Sequence, residues 1–521
     1  MLNPRRLLQR KSSVSPSSPP LSSSFLTLPS KTYIKYYETV HPQELEEEGF
    51  RRALQLFHKA AERVPAYKDF LKKNAVNPAL IKSREDFKQV PIVNKHNYLR
   101  AYPLKDLLWD GKLDNMFILS SSSGSTGEPF LWPRGEEQEL EGGMNFEAIF
   151  RGVFEAENKS TLYVISFAMG TWISGPFVLA CAENLTRKGY AITSVTPGIE
   201  TSIALSLIKN LAPSYDQIVI SGYPPFVKDL LDLGEKEGVR WKDHTVKFLF
   251  AAEGFSEKFR DYIHEKVGAK DPLTTSLNIY GSADAAILAY ETPLTTQIRR
   301  YLSDDSDKLE RLFADSRTPT LAQYDPRLKY FESLSDGSLI FTTRSGIPLI
   351  RYSIGDTGGV YGYEQMDKSL ASFNVSLSTL MKDHEKFLWH LPFVYVFGRH
   401  DLTVSLYGLL VYPEHIKFGL ERSGLTDKIS GKFVMSIEYS SKQNQYMLIR
   451  VELLRDVKPS IHLEEKIQEA VVKGLNEVNS EYLKLAASIG EKAVPRIELI
   501  ENGNSEYFKR GTKQRWVRKT I

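Results

Sequence analysis

Apolar positions fall into two rhythms along this chain, and the places where one gives way to the other outline the architecture. Over residues 45–64 the positions Phe50, Ala53, Leu54, Phe57, Ala60, Ala61 and Val64 recur at helical spacing, which predicts an amphipathic helix opening the folded part. Short apolar runs follow: 116–119 reads as a strand end, 162–167 as a strand, and 217–221, 246–251 and 276–280 as buried strands. Helical patterns at 226–237 and 256–267 separate the later runs. Strands alternating with helices predict an α/β sheet with helical crossovers, in which ligands sit at the carboxyl ends of the strands. From about residue 399 the rhythm changes. Residues 432–439 and 446–454 alternate like an antiparallel pair across the polar turn 440–445; helices at 463–475 and 480–489 and a strand at 494–500 complete a small α+β unit. The expected domains are a basic extension over 1–40, a large α/β domain over 41–398 and a small α+β domain over 399–521.

Charge changes this picture in two places. Residues 160–182 carry no charge, long enough to raise a membrane span, but Ser166, Gly170, Thr171, Ser174 and Gly175-Pro176 break the run into a strand, a turn and a helix starting near Pro176. The first 37 residues hold Arg5, Arg6, Arg10, Lys11, Lys31 and Lys35 and no Asp or Glu, among many Ser and Pro. That composition fits a disordered extension of a cytoplasmic protein or an organelle transit peptide; the first reading is taken. Over the whole chain, 521 residues with 25% charged and 42% hydrophobic residues and a net charge of +3 suit a globular protein with no general attraction to nucleic acid or to an anionic membrane. The single Cys181, in an apolar setting, excludes a disulfide framework and a multi-cysteine zinc site and reads as a small buried hydrophobe.

The candidate chemistry lies at strand ends. After the strand at 116–119 comes Ser120-Ser121-Ser122-Ser123-Gly124-Ser125-Thr126-Gly127. Its glycines let successive backbone N–H groups curl around an anion, and its hydroxyls add donors, so Ser122, Ser123, Gly124, Ser125, Thr126 and Gly127 can cradle phosphates. No Gly-Lys-Ser/Thr follows, so this is not a Walker loop; a flexible linker has a similar composition. Ala251-Ala252-Glu253-Gly254 ends one strand, and Tyr280-Gly281-Ser282-Ala283-Asp284 ends the next. Tyr280 offers a flat face for a purine, Gly281 a sharp bend, and Asp284 a hard oxygen ligand for Mg²⁺. Asp336-Gly337 is a hairpin signal, and Gly355-Asp356 places a carboxylate at an expected strand end, suited to both ribose hydroxyls. Gly398-Arg399-His400-Asp401, Gly408 to Pro413 and the basic tail Lys509-Arg510-Gly511-Thr512-Lys513-Gln514-Arg515 follow.

Taken in this order, the pieces resemble the adenylate-forming ligases, and within them the phenylacetate–CoA ligase-like branch. Upstream, Val64-Pro65-Ala66-Tyr67 and residues 81–102, with Val90-Pro91-Ile92-Val93-Asn94-Lys95, are similar to the amino-terminal region of that branch, so the resemblance runs from about residue 45 to the carboxyl end. It implies a large adenylation domain with a small mobile lid. Residues 122–127 would wrap the ATP phosphates, Glu253 and Gly254 would line the adenine pocket, and Tyr280 would stack on adenine. Asp284 would hold Mg²⁺, Asp356 would hold the ribose with Arg399 as its partner, and Asp401 would be the hinge. Three departures stand out. Ala283-Asp284 replaces Ser/Thr-Glu, Ala251-Ala252-Glu253 replaces Gly-Gly-Glu, and the carboxyl-terminal Gly-Lys-x-x-Arg becomes Gly511-Thr512-Lys513-Gln514-Arg515. The displacement makes Lys513 the expected catalytic lysine, with Lys509 in reserve.

The implied reaction is ATP-dependent activation of a small carboxylic acid, aromatic or fatty, to an acyl- or aryl-adenylate with release of pyrophosphate. Acyl transfer to coenzyme A would follow, with Phe167, Met169, Trp172 and Phe177 around the acyl group. A carboxylate is already ionised at neutral pH, so no general base is needed, and the chain shows no convincing Ser-His-Asp triad. The alternatives are adenylylation of a non-carboxylate cofactor, acyl transfer to a protein, and a nucleotide-binding relative without catalysis. A homodimer is compatible with each.

Overall fold

The computed structural model describes Leu26 and residues 30–114, 116–121, 130–399, 403–421, 424–425, 427–504, 506–508 and 517–518. Eighteen strands are formed among these residues. A two-stranded hairpin, β1 (Ile118–Ser121) and β2 (Leu131–Arg134), precedes the main sheet. The sheet's strands are β3 (Thr161–Ser166), β4 (Ile192–Val195), β5 (Gln217–Gly222), β6 (Val246–Ala251), β7 (Ser276–Ser282), β8 (Ala286–Tyr290), β9 (Thr320–Gln323), β10 (Lys329–Ser333), β11 (Ser338–Thr343), β12 (Leu349–Tyr361) and β13 (Phe393–Arg399). Their order is β10-β11-β12-β13-β9-β8-β7-β6-β5-β3-β4, eleven strands. β4, β3, β5, β6 and β7 run parallel, while every pairing from β7 through β8, β9, β13, β12, β11 to β10 is antiparallel.

The parallel half reads in the sequence as its strands suggest. β3 and β5 are buried at every position, because crossover helices cover both faces. Helices Thr201–Leu211, Pro224–Lys236 and Glu257–Val267 pack on one side of them around Phe248, Phe250 and Trp241. Helices Glu136–Gly152 and Ser174–Arg187 lie on the other, around Phe146, Phe150 and Phe177. The expected strand–turn–helix at 160–182 is present as β3 and Ser174–Arg187. The amino-terminal helix Pro42–Arg63 starts with proline at its first turn, stops before Pro65, and seals the antiparallel half with Phe50, Leu56 and Phe57.

Two expectations need correction. The extension over 1–40 is structured in its final part: Ser30–Thr39 is a helix whose Tyr33 and Tyr37 are buried. The Tyr33 hydroxyl donates to the Met144 carbonyl, and the Tyr37 hydroxyl donates to Asp325 at 2.9 Å. Two tyrosines one turn apart form a face on their own, while Lys31 and Lys35 on the exposed side give the segment the composition of a basic tail. Asp356, expected at a strand end, lies inside the 13-residue β12. The strand bends there without ending: Gly355 takes φ +89°, and the pairing with β13 shifts register between Thr357 and Gly358. A methyl group on Gly358 would lie 1.9 Å from the Tyr395 carbonyl oxygen, so only glycine lets the two strands close at this point.

Beyond β13 a separate hydrophobic core forms. β14 (Val404–Leu406) and β15 (Leu409–Val411) make a hairpin, and β16 (Ile429–Tyr439), β17 (Gln445–Leu453) and β18 (Arg496–Ile500) a three-stranded sheet. Helices Pro413–Glu421, Ile461–Val478 and Ser480–Ile489 cover it. Phe226, from the helix after β5, inserts into this core and ties the small unit to the large one.

Candidate active site

The carboxyl ends of β3, β5, β6 and β7 open on the same side of the parallel half, as parallel register requires; Glu253, Tyr280 and Asp284 lie at or just past two of these ends, and Tyr352 and Asp356 of β12 reach Asp284 and Tyr280. Tyr280, near the end of β7, donates its hydroxyl to Asp356 Oδ2 at 2.5 Å. Its ring stacks against Phe331 at 6.4 Å and 26°. Asp356 is nearly buried and stands directly opposite Arg399 in the β12–β13 pairing. One aromatic ring, one carboxylate and the backbone of one arginine are therefore brought together from three strands more than forty residues apart. Gly281 sits where a Cβ would lie 2.7 Å from the Ala286 carbonyl, which explains the bend between β7 and β8.

Asp284 is 4% exposed and has two neighbours that the sequence did not reveal. The Tyr352 hydroxyl donates to Oδ2 at 2.5 Å, and the Lys95 ammonium lies 3.4 Å from Oδ1. Lys95 also lies 5.8 Å from the centre of the Trp132 ring. It is held there by local chemistry. Asn94 and Asn97 form a reciprocal cap at the start of the short helix Lys95–Leu99, and Val93 bonds through its backbone to Arg351 and Ser353 of β12. Asp284 does not fit a divalent cation in this arrangement: both oxygens have partners, one of them cationic, and no cluster of three His, Cys, Asp or Glu occurs among the described residues.

Glu253 follows β6 after Ala252, whose φ of +73° is a left-handed conformation costly for a side chain. The departure from glycine at this position therefore strains the turn that presents Glu253. Behind the turn lies a buried ion network. Arg260 donates through Nε to Glu257 at 2.8 Å, through Nη1 to Ser276 at 2.9 Å, and through Nη2 to both Glu291 oxygens at 2.9 Å. Arg299 bridges Glu291 and the Phe255 carbonyl at 2.6 Å each, and Asn278 donates to the Glu253 carbonyl at 2.9 Å. In front, the Glu253 carboxylate is enclosed by the small unit: Ser405 donates at 2.8 Å, Gln445 at 3.0 Å, and the Gly408 backbone N–H completes the set. Burial pushes the Glu253 carboxyl above its ordinary range, and these donors offset part of the shift. Gly408 takes φ +80° against the Tyr223 ring, and Lys492 pairs with Asp229 across the same seam.

Phe167 and Phe177 are buried; Phe167 meets Tyr223 edge to face at 5.3 Å, and Trp172 faces the Lys484 ammonium at 5.5 Å. Met169 is half-buried beside Gly198. The turn that carries them is tied to the hairpin by Ser121, whose N–H donates to the Thr171 carbonyl at 2.8 Å. Cys181 is fully buried, and burial pushes its thiol well up, so it is no nucleophile. Of the expected site, Ser122, Ser123, Gly124, Ser125, Thr126, Gly127, Asp401, Lys509 and Lys513 lie outside the described residues, and Arg399 is described through its backbone.

No protein-family profile matches the chain. A curated phenylacetate-coenzyme A ligase of Thermus thermophilus is 24% identical over 321 residues, 60% of this chain and 64% of that protein, so the match spans less than two thirds of that relative's length. Among solved structures, a 2-hydroxyisobutyryl-CoA ligase in complex with 2-HIB-AMP and CoA in its thioesterification state superposes with a TM-score of 0.62 at 18% identity, covering 93% of this chain and 91% of that one. The chain has the adenylate-forming ligase fold. Its resemblance to the phenylacetate–CoA ligase-like branch of these ligases stands with it. The same 2-hydroxyisobutyryl-CoA ligase in an open conformation, again with 2-HIB-AMP and CoA, gives a TM-score of 0.53 at 17% identity over 93% of each chain. In its postadenylation state it also gives 0.53, at 18% identity over 93% of this chain and 92% of that one. Among the described residues of this adenylate-forming fold, no helix is long and apolar enough to cross a membrane.

Proposed function

We propose that this protein condenses a small carboxylic acid with ATP to an acyl- or aryl-adenylate and then transfers the acyl group to coenzyme A. The observation that carries this reading is the pairing of Tyr280 with Asp356 opposite Arg399, a flat ring and an oriented carboxylate at one place on the sheet edge. An adenine can lie against the ring, and the carboxylate is an acceptor for ribose hydroxyls. The substrate carboxylate, ionised at neutral pH, attacks the α-phosphorus; the bond to the bridging oxygen breaks, and pyrophosphate leaves with that electron pair. No proton is transferred in this step, so catalysis rests on position and positive charge. Lys95, reaching the Asp284 carboxylate from the segment at 90–95, is one such charge at the described site, and Lys513 is the proposed second. We assign the phosphates to residues 122–127 and the hinge to Asp401; any Mg²⁺ would arrive with the nucleotide's phosphates, not on Asp284 alone. A cytoplasmic location belongs to the same reading.

Transfer to coenzyme A is favoured by how the two units meet. Glu253, beside the nucleotide groups, is covered by Ser405, Gly408 and Gln445 of the small unit, and the better superposition is with the relative in its thioesterification state. The test is pyrophosphate exchange into ATP, driven by aryl and fatty acids, followed by coenzyme A-dependent release of AMP. Acid-dependent exchange with coenzyme A-dependent turnover is the expected result. Exchange without any effect of coenzyme A would move the acceptor to a protein or another group. Absence of exchange in protein that binds ATP would overturn the ligase reading.

A further inference from the structure

One face of β2 carries buried N–H donors that have no acceptor among the described residues. Trp132 and Arg134 stand two residues apart, so their side chains share that face, and they are 2% and 1% exposed. Among the described residues the Trp132 indole N–H has no acceptor, nor have Arg134 Nε and Nη1, while Nη2 donates to Ser120 Oγ at 3.1 Å. The guanidinium lies 5.0 Å from the centre of the Phe177 ring. The Glu139 charge acts on Arg134 but forms no ion pair with it among the described residues, and burial holds the guanidinium below its ordinary value. Buried charges in folded proteins are paired, and an arginine left with unused donors in the interior is a destabilising element unless something else fills its fork.

Its position bears on the kind of acceptor that would suit it. On one side of Trp132 stands Lys95 with Asp284, at the nucleotide end; on the other side Arg134 rests on Phe177, in the helix that follows the apolar turn. Ser120, which Arg134 holds, precedes Ser121, and Ser121 is bonded to Thr171 of that turn. Arg134 thus lies between the base of the expected phosphate loop and the expected acyl segment. We propose that Arg134, helped by the Trp132 indole N–H, binds a carboxylate of the acid substrate. This rests on the ligase reading for the identity of the substrate, and it adds a selectivity residue to it. A guanidinium fork matches a carboxylate in plane, with charge-assisted bonds that a neutral acceptor would not provide. Two sources share this chemistry: the carboxylate that reacts, or a second carboxylate at the far end of a dicarboxylic acid.

The experiment compares wild type, R134M and R134K with benzoate and terephthalate, and with hexanoate and adipate. Two readouts are taken: the rise in Tm caused by each acid alone, and KM and kcat of pyrophosphate exchange. R134M is expected to raise KM for the bound acid about 30- to 100-fold, to abolish the acid-induced rise in Tm, and to leave KM for ATP unchanged, with R134K in between. An equal loss for mono- and dicarboxylates assigns the reacting carboxylate; a loss confined to dicarboxylates assigns the second one. An unchanged acid KM and unchanged Tm response in R134M overturn the proposal. So does a fall in the Tm of the ligand-free variant by more than a few degrees, because an arginine with a purely structural role would cause that. If wild type shows no exchange but its Tm rises with an acid and this is lost in R134M, the binding site stands and the ligase reading fails.

Discussion

Arg260 and Arg134 are both arginines with almost no exposed surface, set at different points of the same large unit, and the fold treats them in opposite ways. Each nitrogen of Arg260 has an acceptor, supplied by Glu257, Ser276 and Glu291, and the network extends to the backbone of Glu253 and Phe255. Arg134 has one hydroxyl and an aromatic face. A buried charge that closes on its own neighbours acts on the shape of the protein; one that does not close is available to a ligand. Glu253 falls between the two, since its partners belong to the other structural unit and exist only while the units are docked.

The sharpest way to break this contrast is to make Arg260 resemble Arg134. E291A removes the carboxylate shared by Arg260 and Arg299 and should cost about 3–5 kcal/mol of stability, read as a lower urea midpoint. A loss below about 1 kcal/mol would mean that full pairing does not mark a structural role here. The open side is tested by K95A. Lys95 is 28% exposed, so stability should hardly change, while acid-dependent pyrophosphate exchange should fall on the order of 10²-fold. Exchange at the wild-type rate would remove Lys95 from the reaction.

The smallest effect is expected at Glu253. Burial raises its carboxyl in the docked arrangement relative to the free one, so docking takes up protons. The docked population is therefore largest below the ordinary glutamic acid value of about 4.3 and declines as pH rises through the raised value. Scattering profiles recorded from pH 5 to 8 should show the particle opening as pH increases. E253Q should flatten that dependence and shift the docking equilibrium by about 1 kcal/mol, the worth of one altered acceptor. A pH dependence that survives in E253Q would assign it to another group.

The sequence made the two ends of this contrast visible to different degrees. The strands β5, β6 and β7 and the helices between them are legible because each is a mainly apolar run or a helical period bounded by turn residues, with single polar positions such as Lys247 and Asn278 too few to break it. Tyr280, Gly281 and Glu253 were legible as turns at the ends of those strands. The Tyr33–Tyr37 helix was not, because two buried rings among lysines give too short a period to outweigh a basic composition. In the sequence Lys95 stands out only as part of a segment that resembles the family. Its contact with Asp284 depends on Val93 pairing with β12, some 260 residues away, and no local pattern encodes such a pairing. Arg134 is illegible for a related reason: an arginine before a glycine at the start of a helix reads as an exposed turn, and the packing of Phe177 beneath it shows that it is enclosed.

Cys181 has a practical consequence of another kind. It is the one sulfhydryl in the chain, and it is packed so closely that a methyl group on Gly142 would already collide with its sulfur at 2.6 Å. A colorimetric thiol reagent added to the folded protein should therefore stay silent, so consumption of an added thiol cosubstrate can be followed continuously without a protein background. The same silence makes the chain a clean host for a single engineered cysteine, and a slow signal from unlabelled protein would time the parting of helices Glu136–Gly152 and Ser174–Arg187.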